Sequence, residues 1–224
     1  MLHPLLEARI AKIRSEFQTG LARWRETHFR TFPWRDSEAD VFGVVVAEVL
    51  LRRTTAKAAA RLYPEIIARY PTPTHFAAAD IANLAEQLGP LGLNWQRAEQ
   101  LISMGRHLVD VHRGLGPNDL QRLLDLPGLG AYGARAVLSF GFDVPTAVLD
   151  SNIKRILKRV FNDWLSERTS AATLLQIADL LGVGSEHRAQ NFALLDLGAL
   201  VCRYARPRCA TCPLMGICTS ALDE

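Results

Sequence analysis

The sequence contains no stretch of eighteen uncharged apolar residues, which excludes an ordinary transmembrane helix. Its opening residues, Met1-Leu2-His3-Pro4-Leu5-Leu6-Glu7, run into further charges without the apolar block of a signal peptide. The cytoplasm is therefore the expected compartment. Alternating β-type patterning is scarce. The one β-branched run, Val44 to Val46, passes straight into Ala47-Glu48-Val49-Leu50-Leu51, the pattern of a buried helix. No internal repeat and no low-complexity segment interrupts the chain. Charge is also modest: a net +3 permits a polyanionic partner without demanding one, so any nucleic-acid binding has to come from local arrangement.

What is present is a globular composition. The 224 residues are 49% apolar and 22% charged, enough to bury a real core. Helical periodicity dominates, and Pro and Gly mark short connections at Pro71 to Pro73, Gly89-Pro90, Gly114 to Pro117 and Pro127 to Gly130. The expectation is an all-α chain of about ten helices.

All four cysteines fall near the end, at Cys202, Cys209, Cys212 and Cys218, spaced C-x6-C-x2-C-x5-C. Two disulfides would need an oxidising compartment. Four thiolates suit the tetrahedral preference of zinc, and they equally hold iron–sulfur clusters. The ligands alone do not separate the two, and general frequency puts zinc first. Arg203, Arg206 and Arg208 flank them, either as cations for phosphates or as a solvated loop that offsets thiolate charge.

Three further patterns carry chemistry. In Leu126-Pro127-Gly128-Leu129-Gly130-Ala131-Tyr132-Gly133, two glycines permit a tight turn with exposed amides ahead of a helix starting near Ala131. Such amides bind phosphate oxygens without reading sequence. Asp150 stands before a helix expected over 153–161, where it is a natural N-cap and where the helix terminus favours its ionised form. Glu48 sits among apolar neighbours, so it is either exposed on the opposite face or held inside at a desolvation cost of several kcal/mol.

Taken together, these segments resemble the helix-hairpin-helix superfamily of DNA glycosylases, over residues 31 to 220. The cysteine spacing is similar to the cluster loop of endonuclease III and of the adenine glycosylase that acts opposite oxidised guanine. That resemblance reverses the metal order and implies a 4Fe-4S cluster on Cys202, Cys209, Cys212 and Cys218. Val148-Leu149-Asp150-Ser151-Asn152 resembles the segment with the essential aspartate, placing Asp150 and Asn152 in the site. Ala47-Glu48-Val49-Leu50-Leu51-Arg52-Arg53 resembles a segment with a catalytic or pocket glutamate. Burial would then raise the pKa of Glu48 and let it protonate a leaving base. By the same resemblance Arg53 lies where a side chain enters the gap left by a flipped base, and Arg52 beside it. Phe32-Pro33-Trp34-Arg35 is similar to a segment common to the adenine and mismatch enzymes. Leu91 to Leu101 is similar to their central helix and its loop. The expected DNA contacts are therefore Arg53, Arg52, Gly128, Gly130, Leu129, Trp34 and Arg35. Two departures are Val41, where many members have proline, and Gly133, where threonine or serine is common.

The resemblance also implies an activity. Breaking an N-glycosidic bond builds an oxocarbenium-like sugar that a carboxylate stabilises, after the base has left the stack. Endonuclease III carries a lysine at the position of Tyr132, and tyrosine cannot form its Schiff base. The expectation is thus a monofunctional DNA glycosylase of base excision repair with weak or no lyase activity. Its expected substrate is double-stranded DNA with a mismatched or damaged base, thymine or uracil opposite guanine. An adenine glycosylase without the C-terminal recognition domain is the alternative, since this sequence ends six residues after Cys218. A non-catalytic DNA-damage-binding module is the third reading. The expected architecture is a six-helix barrel over 36–145, with residues 1–35 and 146–224 forming a cluster-bearing lobe. It is expected to be a nucleoid-associated monomer with no membrane contact.

Overall fold

The computed structural model of the chain describes residues 2–36, 40–182 and 186–222. Its elements are all helical, and no strand occurs among the described residues, as the periodicity predicts. The helices are α1 (Pro4–His28), α2 (Val41–Leu51), α3 (Ala56–Arg69), α4 (Pro73–Ala77), α5 (Ile81–Leu88), α6 (Asn94–His112), α7 (Leu120–Leu124), α8 (Ala131–Ala136), α9 (Ser151–Val160), α10 (Ala171–Gly182), α11 (His187–Leu200) and α12 (Thr219–Leu222). The expected number was about ten. The surplus lies in helices as short as α4, α7 and α12, whose single turn leaves no periodicity to detect.

The helix starts follow from side chains that accept orphan amide protons. Asp40 accepts from Gly43 at 2.6 Å, Asp80 from Asn83 at 2.9 Å, Asp119 from Arg122 at 3.0 Å and Asp150 from Ile153 at 2.8 Å. The end of α6 is closed differently. Arg113 turns left-handed at φ 57° and the Gly114 amide reaches the Leu108 carbonyl at 2.8 Å.

The chain divides into two compact units, Met1–Arg30 with Pro145–Glu224, and Thr31–Val144. In the first, α1 buries Leu6, Ile10, Ile13, Phe17, Leu21 and Trp24, a ladder at three- and four-residue intervals, against α10 and α11. Helix α9 packs on α11. Their approach depends on Gly198, because a Cβ there would collide with the Cβ of Asn152. In the second unit, α2 is buried from Gly43 through Leu50. It packs on α3, α6 and α8, and on a π-helical turn at Val137–Gly141 that continues α8. A helix apolar on every face belongs inside, where each fully buried Val or Leu stabilises the fold by about 1.5–3 kcal/mol.

Candidate active site

In the first unit the site is built at the start of α9. Asp150 leaves the helix with extended backbone, and its Oδ1 accepts from the Ile153 amide at 2.8 Å. Its Oδ2 accepts from Asn152 Nδ2 at 2.8 Å. Asn152 Oδ1 in turn accepts from Arg155 Nη2 at 2.8 Å, and the same guanidinium donates to the carbonyls of Gly198 and Cys202, each at 2.8 Å. A relay of fixed hydrogen bonds therefore runs from the carboxylate to the first cysteine. The segment leading in is pinned from other helices: Asp179 accepts from the Ala147 amide at 2.8 Å, and Asn191 donates to the Thr146 carbonyl at 2.9 Å. Asp179 and Asn191 carry no motif signal, because their partners are backbone atoms far away in sequence.

The helix start favours the ionised form of Asp150. Burial acts in the opposite sense and pushes its pKa above the ordinary value of 3.8, against the lowering effect of the Ile153 and Asn152 hydrogen bonds and of Arg155. Desolvation wins.

In the second unit, Glu48 is the one charged side chain of α2 and is only 7% exposed, so the buried alternative is realised. Its Cβ lies beside Gly133, where an added Cβ would stand 3.6 Å from it and 2.8 Å from Leu129 Cδ1. That closeness explains glycine at 133: a branched residue would push on both the hairpin and α2. Tyr132, half-buried, precedes it on α8. Of the hairpin turn, Gly128 adopts φ +85°, a conformation that favours glycine, and Gly130 stands exposed at the start of α8 with no side-chain cap. Leu129 is buried, so it anchors the turn and is not a contact surface. Val41 opens α2 and packs closely on Gly116 and Gly141, where a Cβ would stand 2.9 Å and 3.5 Å from its Cγ1.

Arg52 and Arg53 follow α2, both exposed. Arg52 Nη1 donates to Gln100 Oε1 at 3.0 Å and to the Gly128 carbonyl at 3.4 Å, so it ties the end of α2 to the hairpin. Arg53 turns left-handed at φ 50°, unusual for a side chain with a Cβ. Trp34 is buried against Tyr63 and stacked on Phe32, and Arg35 lies over the Phe32 ring at 5.0 Å. Trp34 thus shapes the segment from inside and does not present itself to a ligand. The residue that sequence reasoning passed over is Arg97, 2% exposed, whose guanidinium reaches three carbonyls around the end of α2 and that of Gly92 before α6. A charged residue of a helical pattern carries no sign of being buried.

The four cysteines are free and half-buried, and all line one cavity of about 200 Å3 together with Arg159, Tyr204 and Met215. Burial and the neighbouring thiols push Cys212 up to about 11, and Cys218 upward as well. Arg159 Nη1 donates to Cys202 Sγ at 3.3 Å, and it also holds the carbonyls of Arg203 and Tyr204 at 2.8 and 2.9 Å. No group of three or more His, Cys, Asp or Glu among the described residues is arranged to hold a single metal ion. Four thiols around one cavity are a donor set that zinc and an iron–sulfur cluster share.

Residues 46–178 match the HhH-GPD superfamily of base excision DNA repair proteins. The chain is 30% identical to the thymine/uracil-DNA glycosylase of Methanothermobacter thermautotrophicus, over 93% of this chain and 94% of that one. It is 32% identical to the adenine DNA glycosylase of Mycobacterium tuberculosis, over 96% of this chain and 71% of that one. Its fold matches the solved structure of a thermostable thymine-DNA glycosylase with a TM-score of 0.86 and 28% identity, covering 97% of this chain and 98% of that one. With an all-helical fold, a capped aspartate at α9 and a glycine hairpin at α8, the chain belongs to the HhH-GPD superfamily of base excision DNA repair proteins, as a DNA N-glycosylase.

Proposed function

We propose that this glycosylase is monofunctional and releases thymine or uracil paired with guanine in duplex DNA. The observation that carries the chemistry is the capped, largely desolvated Asp150, held on both oxygens by Ile153 and Asn152. A carboxylate fixed in place and short of water interacts strongly with the positive charge that develops on the sugar as the glycosidic bond breaks. In this reading Asp150 faces that charge, Asn152 positions it, and buried Glu48 supplies a proton to the departing base. Tyr132 lines the base pocket, and the absence of an amine there leaves the abasic product uncut. Arg53 enters the gap left by the flipped base, where guanine offers acceptors to an arginine. Amides around Gly128 and Gly130 bind phosphate, with Arg35 and Arg203 adding charge. Cys202, Cys209, Cys212 and Cys218 would hold a 4Fe-4S cluster, which would fix the fold of their loop and take no part in base release. The protein acts as a monomer on nucleoid DNA.

Similarity to thymine/uracil-DNA and thymine-DNA glycosylases supports the pyrimidine reading. Similarity to an adenine DNA glycosylase supports a second, removal of adenine opposite oxidised guanine. Single-turnover excision on a panel of duplexes separates them. Release from thymine–guanine or uracil–guanine pairs is the expected result, and release of adenine alone overturns it.

A further inference from the structure

Arg97 is placed unlike any other cation described in the chain. Its side chain is 2% exposed, and each of its acceptors is a backbone carbonyl. Nη1 donates to Val49 at 2.6 Å and Leu50 at 3.2 Å, Nη2 donates to Arg52, and Nε donates to Gly92 at 2.9 Å. The first three are carbonyls at or just beyond the C-terminal end of α2, where a helix runs out of i+4 amides, and Val49 has in addition a long bond from the Arg52 amide at 3.4 Å. The fourth belongs to the turn before α6. One planar guanidinium therefore joins two segments about forty residues apart in sequence. Its fork of five donors fits this task, whereas a lysine presents a single point of charge.

Both joined segments are strained. Of the four non-glycine residues described with positive φ, Arg53 at 50° and Leu93 at 52° lie immediately beyond the clamped carbonyls of Arg52 and Gly92. Left-handed backbone at a residue with a Cβ is unfavourable and persists only where surroundings impose it. What the two turns display is also distinctive. Arg53 is exposed, Leu93 is 47% exposed and Trp95 58% exposed, so a cation and two apolar side chains stand out from turns fixed by one buried group. Exposed apolar side chains on a rigid edge suit insertion between bases, and the cation suits the groove.

The geometry points to Arg97 as a positioning residue for base extrusion: it holds the Arg53 turn and the Leu93–Trp95 turn in one fixed DNA-facing edge. It acts through backbone, touches no substrate, and rests on the reading of Arg53 as the side chain that fills the vacated stack. Its loss should therefore impair extrusion while leaving affinity for undamaged duplex unchanged, because phosphate contacts elsewhere supply that affinity.

The test uses the full chain and a uracil–guanine duplex with 2-aminopurine beside the uracil, whose fluorescence rises as the base leaves the stack. Arg97→Lys keeps the buried charge and favours folding, and Arg97→Gln removes it. Each should slow the fluorescence rise by about tenfold or more with duplex affinity held within about threefold, and Arg53→Ala added to either should cost little further. Additive losses, or a normal rise in a folded Arg97 variant beside a slow Arg53→Ala, overturn the inference alone. Hydrogen exchange on the free protein reads the brace directly, so it serves even if only the Lys variant folds. Peptides spanning 49–55 and 90–96 should exchange faster, while those of α9 to α11 stay unchanged. Unchanged exchange in 49–55 and 90–96 overturns the brace. A parental rise in Arg53→Ala overturns the positioning role together with the reading of Arg53 on which it rests.

Discussion

Asn152 Nδ2 donates to Asp150 Oδ2 at 2.8 Å while Asn152 Oδ1 accepts from Arg155 at 2.8 Å, so the amide cannot rotate without losing one partner. The carboxylate is thereby fixed from the side opposite its own helix amide. Asp150→Asn keeps the shape and the cap but removes the charge, and Asn caps a helix about as well as Asp. Base release should fall by roughly 10²–10³, equivalent to about 3–4 kcal/mol of electrostatic stabilisation, with binding nearly intact. Single-turnover rates and affinities at one salt concentration check this. An Asn variant near the parental rate would reduce Asp150 to a helix cap.

The pH profile follows from the same pair. Burial holds the Asp150 pKa above 3.8, so the reactive ionised form fills at higher pH than for an ordinary carboxylate. The single-turnover rate should climb with pH along an acid limb lying above 3.8. The Asn152 hydrogen bond lowers that pKa, so Asn152→Ala should move the limb to still higher pH and lower the plateau. The stability sign is the reverse. Because the folded pKa is raised, ionising Asp150 costs folding free energy, a cost absent below 3.8 and reached in full above the folded pKa. A limb that moves down in the Ala variant contradicts the assignment.

Strand cleavage tests Tyr132. Borohydride should trap almost no covalent protein–DNA adduct, since imine formation needs an amine. Strong trapping would point to a lysine such as Lys154, which is half-buried on α9. Tyr132→Phe should retain most base release if the ring, not the hydroxyl, lines the pocket.

Metal content tests the cysteine loop. Protein purified anaerobically should be brown and contain about four irons per chain. Stoichiometric zinc without iron would reverse the assignment. Cys212→Ser should lower folded yield, because metal binding in so small a lobe is also folding free energy.

Gly133 gives a prediction about packing. A methyl there would stand 2.8 Å from Leu129 Cδ1, with the stem of Glu48 behind it. Gly133→Ala should cost about 1–3 kcal/mol of stability by overpacking, read from the denaturation midpoint. A neutral change would show that the hairpin yields.

The all-helical class was legible because periodicity survives in every long helix, and Asp150 was legible as a cap because its spacing to Ile153 is local. Glu48 was ambiguous. A helix as apolar as α2 shows no polar face, so nothing in the sequence says which way its one carboxylate turns. Trp34 and Leu129 fell in segments similar to DNA-contacting ones, yet both side chains point into the core, which a motif does not encode. Arg97 and Asn191 were illegible for a different reason. Their partners are carbonyls and amides, all but the Gly92 carbonyl more than forty residues away, and a backbone atom leaves no mark in the alphabet of side chains.

Helix α2 carries Glu48 on the same unbroken rod that ends at Leu51 and hands the chain to the Arg52–Arg53 turn. In such a rod each residue advances 1.5 Å and rotates about 100°. The phase that aims the carboxylate thus also sets the direction in which the chain leaves the helix for the arginine turn, like marks cut on the same shaft. A one-residue insertion between them would swing the arginine to another side while leaving every core valine before it in place. Tolerance to length change should therefore end abruptly inside this helix, even at positions where any apolar residue would pack.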